Sequence, residues 1–73
     1  MVWFFEKNDE LLICEIRRAE RDDAYEFEVA GAAGPETERY VSPTALIVGY
    51  LRRQAQLRAQ GWRPRAGDVR VLD

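Results

Sequence analysis

Histidine is absent from the 73-residue chain, and cysteine, methionine and lysine occur once each. Without His the chain lacks the commonest general base and the commonest transition-metal ligand. A lone Cys14 excludes an intrachain disulfide, CxxC redox chemistry and a thiolate zinc cluster. No apolar run approaches the ~20 residues that a membrane span needs. The first six residues, MVWFFE, have neither a basic n-region nor a small-residue cleavage site, so no signal peptide is expected. Phosphate-cradle spacing is missing as well. Gly31-Ala32-Ala33-Gly34 does not lead from a strand into a helix carrying a Lys. These absences point to a cytosolic protein with no catalytic residues, no metal and no cofactor.

What is present suffices to fold. Apolar residues make up 47% of the chain and eight side chains are aromatic, which is not a disordered composition. One α+β domain is expected over residues 1–65, with 66–73 a C-terminal tail or short extra strand. A domain this small buries only ~60% of its unfolded surface, and oligomerisation is the usual remedy when disulfides and metals are missing. Charge is unevenly spread. Residues 1–42 hold five basic and eleven acidic side chains, a balance of −6, and residues 43–73 hold six Arg and two Asp, a balance of +4. Ten of the eleven basic residues are Arg, a bias typical of GC-rich genomes, so a bacterial source is expected.

Residues 2–6 and 11–17 read as two strands. Asn8-Asp9 between them suits a two-residue type I′ loop, because both residue types tolerate positive φ. That loop sets Lys7 opposite Glu10, Phe5 opposite Leu12 and Trp3 opposite Cys14. Residues 19–23 form a charged turn, with Asp22-Asp23 at its tip. Residues 25–29 alternate strictly, placing Tyr25, Phe27 and Val29 inward and Glu26 and Glu28 outward. Residues 30–36, with Gly31, Gly34 and Pro35, read as a loop, and 37–41 as a fourth strand. Ser42-Pro43 starts a helix, Ser as N-cap and Pro at the first helical position. The helix should run to about Gln60, with Gly61 just beyond its end. Leu46, Ile47, Tyr50, Gln54 and Leu57 share an arc of ~100°, with Leu51 beside it, and form the expected packing face. Trp62 should fold back on Leu57. The expected fold is a four-stranded antiparallel β-meander with one C-terminal helix across one face, β-β-β-β-α.

With that register, Trp3, Phe5, Leu12, Cys14 and Ile16 lie under the helix. The other face carries Val2, Phe4, Leu11 and Ile13 on the first two strands, and Glu15, Glu26 and Glu28 beside them. Phe4, Leu11 and Ile13 should not stand together on an open face unless something covers them, since contiguous apolar patches mark contact surfaces. Either a partner or the tail, through Val69, Val71 and Leu72, would be the cover. Cys14 is expected to be a buried structural residue. Arg52, Arg53 and Arg58 point in different directions on the helix, which makes no stripe for a phosphate backbone. Only Trp62, Arg63 and Arg65 interleave aromatic and basic residues.

The β-β-β-β-α order resembles that of some small single-strand-binding transcriptional coactivators, in element order alone. The leading expectation is a non-enzymatic self-associating or protein-binding module, forming a homodimer or holding another protein on Phe4, Leu11 and Ile13. The alternative is a single-stranded nucleic-acid binder using sheet aromatics with Trp62, Arg63 and Arg65. Glu15, Glu26 and Glu28 argue against it, because an acidic face repels a phosphate backbone. No membrane contact is expected.

Overall fold

The computed structural model describes residues 1–65. Strands β1 (Val2–Lys7), β2 (Glu10–Arg18), β3 (Tyr25–Gly31) and β4 (Gly34–Tyr40) are followed by helix α1 (Pro43–Ala59) and a two-residue strand β5 (Arg63–Pro64). The sheet is antiparallel in the order β4-β3-β2-β1-β5, so the α+β meander carries one more strand than expected. The helix packs over β3 and β4.

The first hairpin has the expected register, with Lys7 opposite Glu10, Phe5 opposite Leu12 and Trp3 opposite Cys14. Its turn differs. Asn8 is the only non-glycine residue among those described with positive φ, at 55°, whereas a type I′ turn needs it at both central positions. Two-residue loop length, which the turn keeps, is what sets the register. The chain start is tied down too: Met1 and Ile16 exchange backbone hydrogen bonds of 2.9 and 3.0 Å. The β2–β3 connection closes through Ala19 N–H to the Ala24 carbonyl, 2.9 Å, and Asp22 accepts from the Ala24 amide, 3.2 Å.

The span 30–36 is not a loop. β3 runs on to Gly31 and β4 begins at Gly34, leaving Ala32-Ala33 as a tight turn. Gly34 takes φ +98°, where a Cβ would be strained. Pro35 is tolerated inside β4 because β4 is an edge strand and one of its sides needs no N–H donors.

Ser42 caps α1, its hydroxyl accepting from the Ala45 amide at 3.1 Å, with Pro43 at the first helical position. The other end is a Schellman motif. Trp62 N–H donates to the Leu57 carbonyl (2.9 Å), Gly61 N–H donates to the Arg58 carbonyl (3.0 Å), and Gly61 has φ +96°. Trp62 packs back onto the core, and the chain then runs into β5 alongside β1.

The core is Trp3, Phe5, Cys14, Phe27, Val29 and Leu57, with Leu12, Ile16, Tyr40, Leu46, Tyr50 and Trp62 packed against it. Trp3, Phe27 and Tyr50 meet as a ring trio with centroids 5.4–6.1 Å apart. Such pairs add ~0.5–1.5 kcal/mol beyond burial. Leu46, Tyr50 and Leu57 therefore lie on the packing face, as expected. Ile47 and Leu51 do not: they are 57% and 58% exposed. Ala45, Leu46, Ile47 and Val48 are consecutive, and at ~100° per residue they point in four directions, so the pattern left the docked face ambiguous. Gly49 decides the matter. It is buried, and a Cβ there would lie 2.1 Å from the Tyr40 hydroxyl, so the helix approaches β4 along its glycine.

Candidate functional site

Pleating sends alternate residues of each strand away from the helix. The strand registers align these outward residues in rows across the sheet. One row is apolar from β1 to β4: Phe4 faces Ile13, Ile13 faces Ala30 and Ala30 faces Pro35. Val2 lies on the same face two residues before Phe4, and Leu11 two before Ile13. Leu11 is 40% and Ile13 45% exposed, while Phe4 is half-buried. The three residues singled out from the sequence are thus brought together on the face that the helix leaves uncovered.

Beyond the apolar row the face becomes charged, in a different way from that expected. Glu15, Glu26 and Glu28 do not form a simple acidic surface. Arg17 stands among them, donating to Glu15 at 2.7 Å, Glu26 at 3.1 Å and Glu28 at 3.2 Å. The hydrogen bond to Glu15, with those to Glu28 and Glu26, holds the guanidinium above its ordinary pKa despite partial desolvation. Three carboxylates on one cation leave a net −2. Thr37 donates to Glu28 at 3.3 Å, and Arg39 pairs with Asp22 nearby. Only part of this was in the sequence: Arg17 shares the strand parity of Glu15, but it is the β2–β3 register that brings Glu26 opposite it.

Trp62, Arg63 and Arg65 are not brought together as a stacking site. Trp62 turns inward onto the core, with the Lys7 ammonium 5.9 Å from its ring centroid. Arg63 pairs with Glu6 across β1–β5 and therefore sits on the outer face. Arg65 follows two residues on, its amide donating to the Phe4 carbonyl at 3.0 Å. Val69, Val71 and Leu72, expected as the other cover for the apolar residues, lie outside the described residues.

Cys14 is fully buried, and desolvation pushes its thiol up to about 11, with the Arg53 charge opposing in part. A thiol so placed is neither a nucleophile nor a ligand at neutral pH. Among the described residues no group of three or more acidic or thiol side chains could hold a metal ion. No helix among them is long and apolar enough to cross a membrane.

Of the depressions elsewhere, two border the helix or the hairpin tips and the apolar core. The larger, about 480 Å³, opens between the hairpin tips and the helix end and is bordered by Asp9, Leu12, Gly31, Glu36, Arg53 and Trp62. Its Glu36 and Arg53 are paired with each other at 3.2 Å. The second, about 300 Å³, is an apolar groove formed by Met1, Ile16, Leu46, Ile47, Tyr50 and Leu51. No protein-family model matches the chain, and no curated protein and no solved structure matches it either.

Proposed function

We propose that the protein is a non-enzymatic contact module that associates through the outer face of its sheet, the simplest occupant being a second copy of the chain. The observation that carries this reading is the apolar row Phe4–Ile13–Ala30–Pro35, flanked by Leu11 and Val2, on the side of the sheet that α1 does not cover. An uncovered meander facing water would carry polar residues there. An apolar centre with a charged rim is the usual anatomy of a protein contact. The rim here is Glu6 and Arg63 at one end and the Arg17 cluster at the other. A small domain without disulfide or metal gains most from such burial. A reducing, cytosolic setting suits its single unpaired thiol.

The geometry disfavours the nucleic-acid reading. The Trp62 ring is packed inward under Lys7, and the outer face holds three carboxylates around one guanidinium.

Phe4→Glu and Ile13→Lys test the proposal. Both should abolish association at tens of micromolar and leave a folded monomer, read by sedimentation and a cooperative thermal melt. Leu51→Lys, in the other apolar surface, should leave association unchanged. The opposite pattern, loss with Leu51→Lys and none with Phe4→Glu or Ile13→Lys, would move the contact to the helix groove and overturn the proposal.

A further inference from the structure

The apolar groove beside α1 lies where the chain heads after Arg65. β5 runs antiparallel to β1, with Arg63 opposite Glu6 and Pro64 opposite Phe5, and the Arg65 amide donates to the Phe4 carbonyl. Each further residue therefore leads along β1 toward Val2 and Met1. Three residues separate Phe4 from Met1, so the register, continued from Arg65, would reach the level of Met1 at residue 68. Backbone groups of an antiparallel strand turn to alternate sides. Met1 exchanges its bonds with Ile16 of β2, and Phe4 bonds the other way, to Arg65. Val2 thus presents its N–H and C=O at the edge along which the chain leaves. The groove opens at this same end. Met1 and Ile16 form its sheet side, and Leu46, Ile47, Tyr50 and Leu51 its helix side, about 300 Å³ in all. It exists because α1 packs over β3 and β4, which leaves a step between the helix flank and the Met1 end of the sheet. None of the six residues is charged, so the groove favours an apolar occupant.

We propose that the occupant is this chain's own residues 66–73, which leave the β1 edge near Gly67 and cross Met1 onto α1, laying Val69 and Val71 against Met1, Leu46 and Ile47. The sequence suits that path. Asp68-Val69-Arg70-Val71 alternates, so an extended segment turns both Val to one side and both charges to the other. Gly67, just before it, tolerates the backbone angles of a turn off the edge. Ile47 lies one helical turn nearer the Met1 end than Leu51, so it is met first. Tethering favours this occupant over a second copy: a segment a few residues from its site has an effective concentration of roughly millimolar. The path also leads away from the outer patch. At Arg65 the chain has already passed Phe4, and it would have to double back to lie over Phe4 and Ile13. The inference is independent of the contact reading above, and it leaves the outer face to a partner.

Proton–proton contacts in the isotope-labelled full chain test the docking. Val69 and Val71 methyls should show contacts to Met1 and Ile47. The contacts should persist on dilution and be absent from the inter-chain spectrum of labelled chain mixed with unlabelled. A double-mutant cycle reads the same contact through stability. Val71→Ala and Ile47→Ala should each lower the urea midpoint, and the double variant should lose less than the two losses together, since either change alone removes the shared contact. Val71→Ala should leave self-association through the outer face unchanged. Contacts from Val69 or Val71 to Phe4 or Ile13 would overturn the proposal by placing the segment on the outer face. Contacts seen only between chains would overturn it by making a second copy the occupant. No contact from either Val to the groove, with strictly additive losses in the cycle, would overturn it as well.

Discussion

Cys14 shows how one residue's burial governs its chemistry. Flanked by Ile13 and Glu15 on β2 and packed among Trp3, Val29 and Leu57, it has no water to solvate a thiolate. Burial raises its pKa from an ordinary 9.0 to about 11, so the folded chain keeps the proton that the unfolded chain has already lost. This contribution to stability is full below about 9 and declines as pH rises through the 9–11 window. Chemical denaturation across that window should show the alkaline loss, and Cys14→Ala should remove that part of it. A pH dependence identical in wild type and Cys14→Ala would contradict the assignment. Gly49 is the second instructive residue. Gly→Ala inside a helix ordinarily stabilises by ~1 kcal/mol. Here the new Cβ would meet Tyr40 Oη at 2.1 Å and Cε1 at 2.8 Å. Tyr40 is itself held, packed on the core and donating to Glu38. Overpacking of this kind costs ~1–3 kcal/mol, so Gly49→Ala should be net destabilising in a denaturant melt. With Tyr40→Ala in the background the same change should become stabilising, and a stabilising effect in the wild-type background would show that Tyr40 yields freely. Neither the burial of Gly49 nor the place of Arg17 among three Glu could be read locally. Both depend on which strand lies alongside.

At the scale of elements, legibility followed the strength of the local signal. β1 and β2 were readable to within a residue because a two-residue loop leaves no freedom in register. Ser42-Pro43 and Gly61 marked both ends of α1 through backbone requirements that few other residues meet. The segment 30–36 was misread because Gly and Pro in sequence mark breaks, and only the sheet order reveals that β4 is an edge, where Pro is tolerated. β5 left no trace in the sequence: two residues, one of them Pro, have no periodicity. The docked face of α1 was half legible, and it yields a graded expectation. Leu57 is fully buried beneath the Schellman turn, so Leu57→Ala should cost ~2–5 kcal/mol, the range for buried Leu truncation. Leu51→Ala, at a position facing solvent, should change stability by no more than ~0.5 kcal/mol. Urea melts of the two variants compare them directly, and equal losses would mean that the helix docks through its Ile47–Leu51 side.

For the whole molecule, the sheet divides two tasks between its faces. The inner face and α1 make a core around Trp3, Phe5, Phe27 and Leu57. The outer face keeps an apolar row that folding of the described residues leaves in water. Phe4, Leu11 and Ile13 were legible as a group because the first hairpin carries apolar residues on both parities, Val2 to Phe5 and Leu11 to Cys14, more than a single covered face can use. What the sequence hid was the charge geometry around them, because Arg63 reaches that face only through β5 and Glu28 only through the β2–β3 register. The central claim is that the outer face is covered by a second copy. Sedimentation equilibrium of the wild-type chain over a concentration series reaching tens of micromolar tests it most directly. The expected result is a reversible, concentration-dependent rise from the 8.5 kDa chain mass toward twice that value. A single species of 8.5 kDa at every concentration would contradict it.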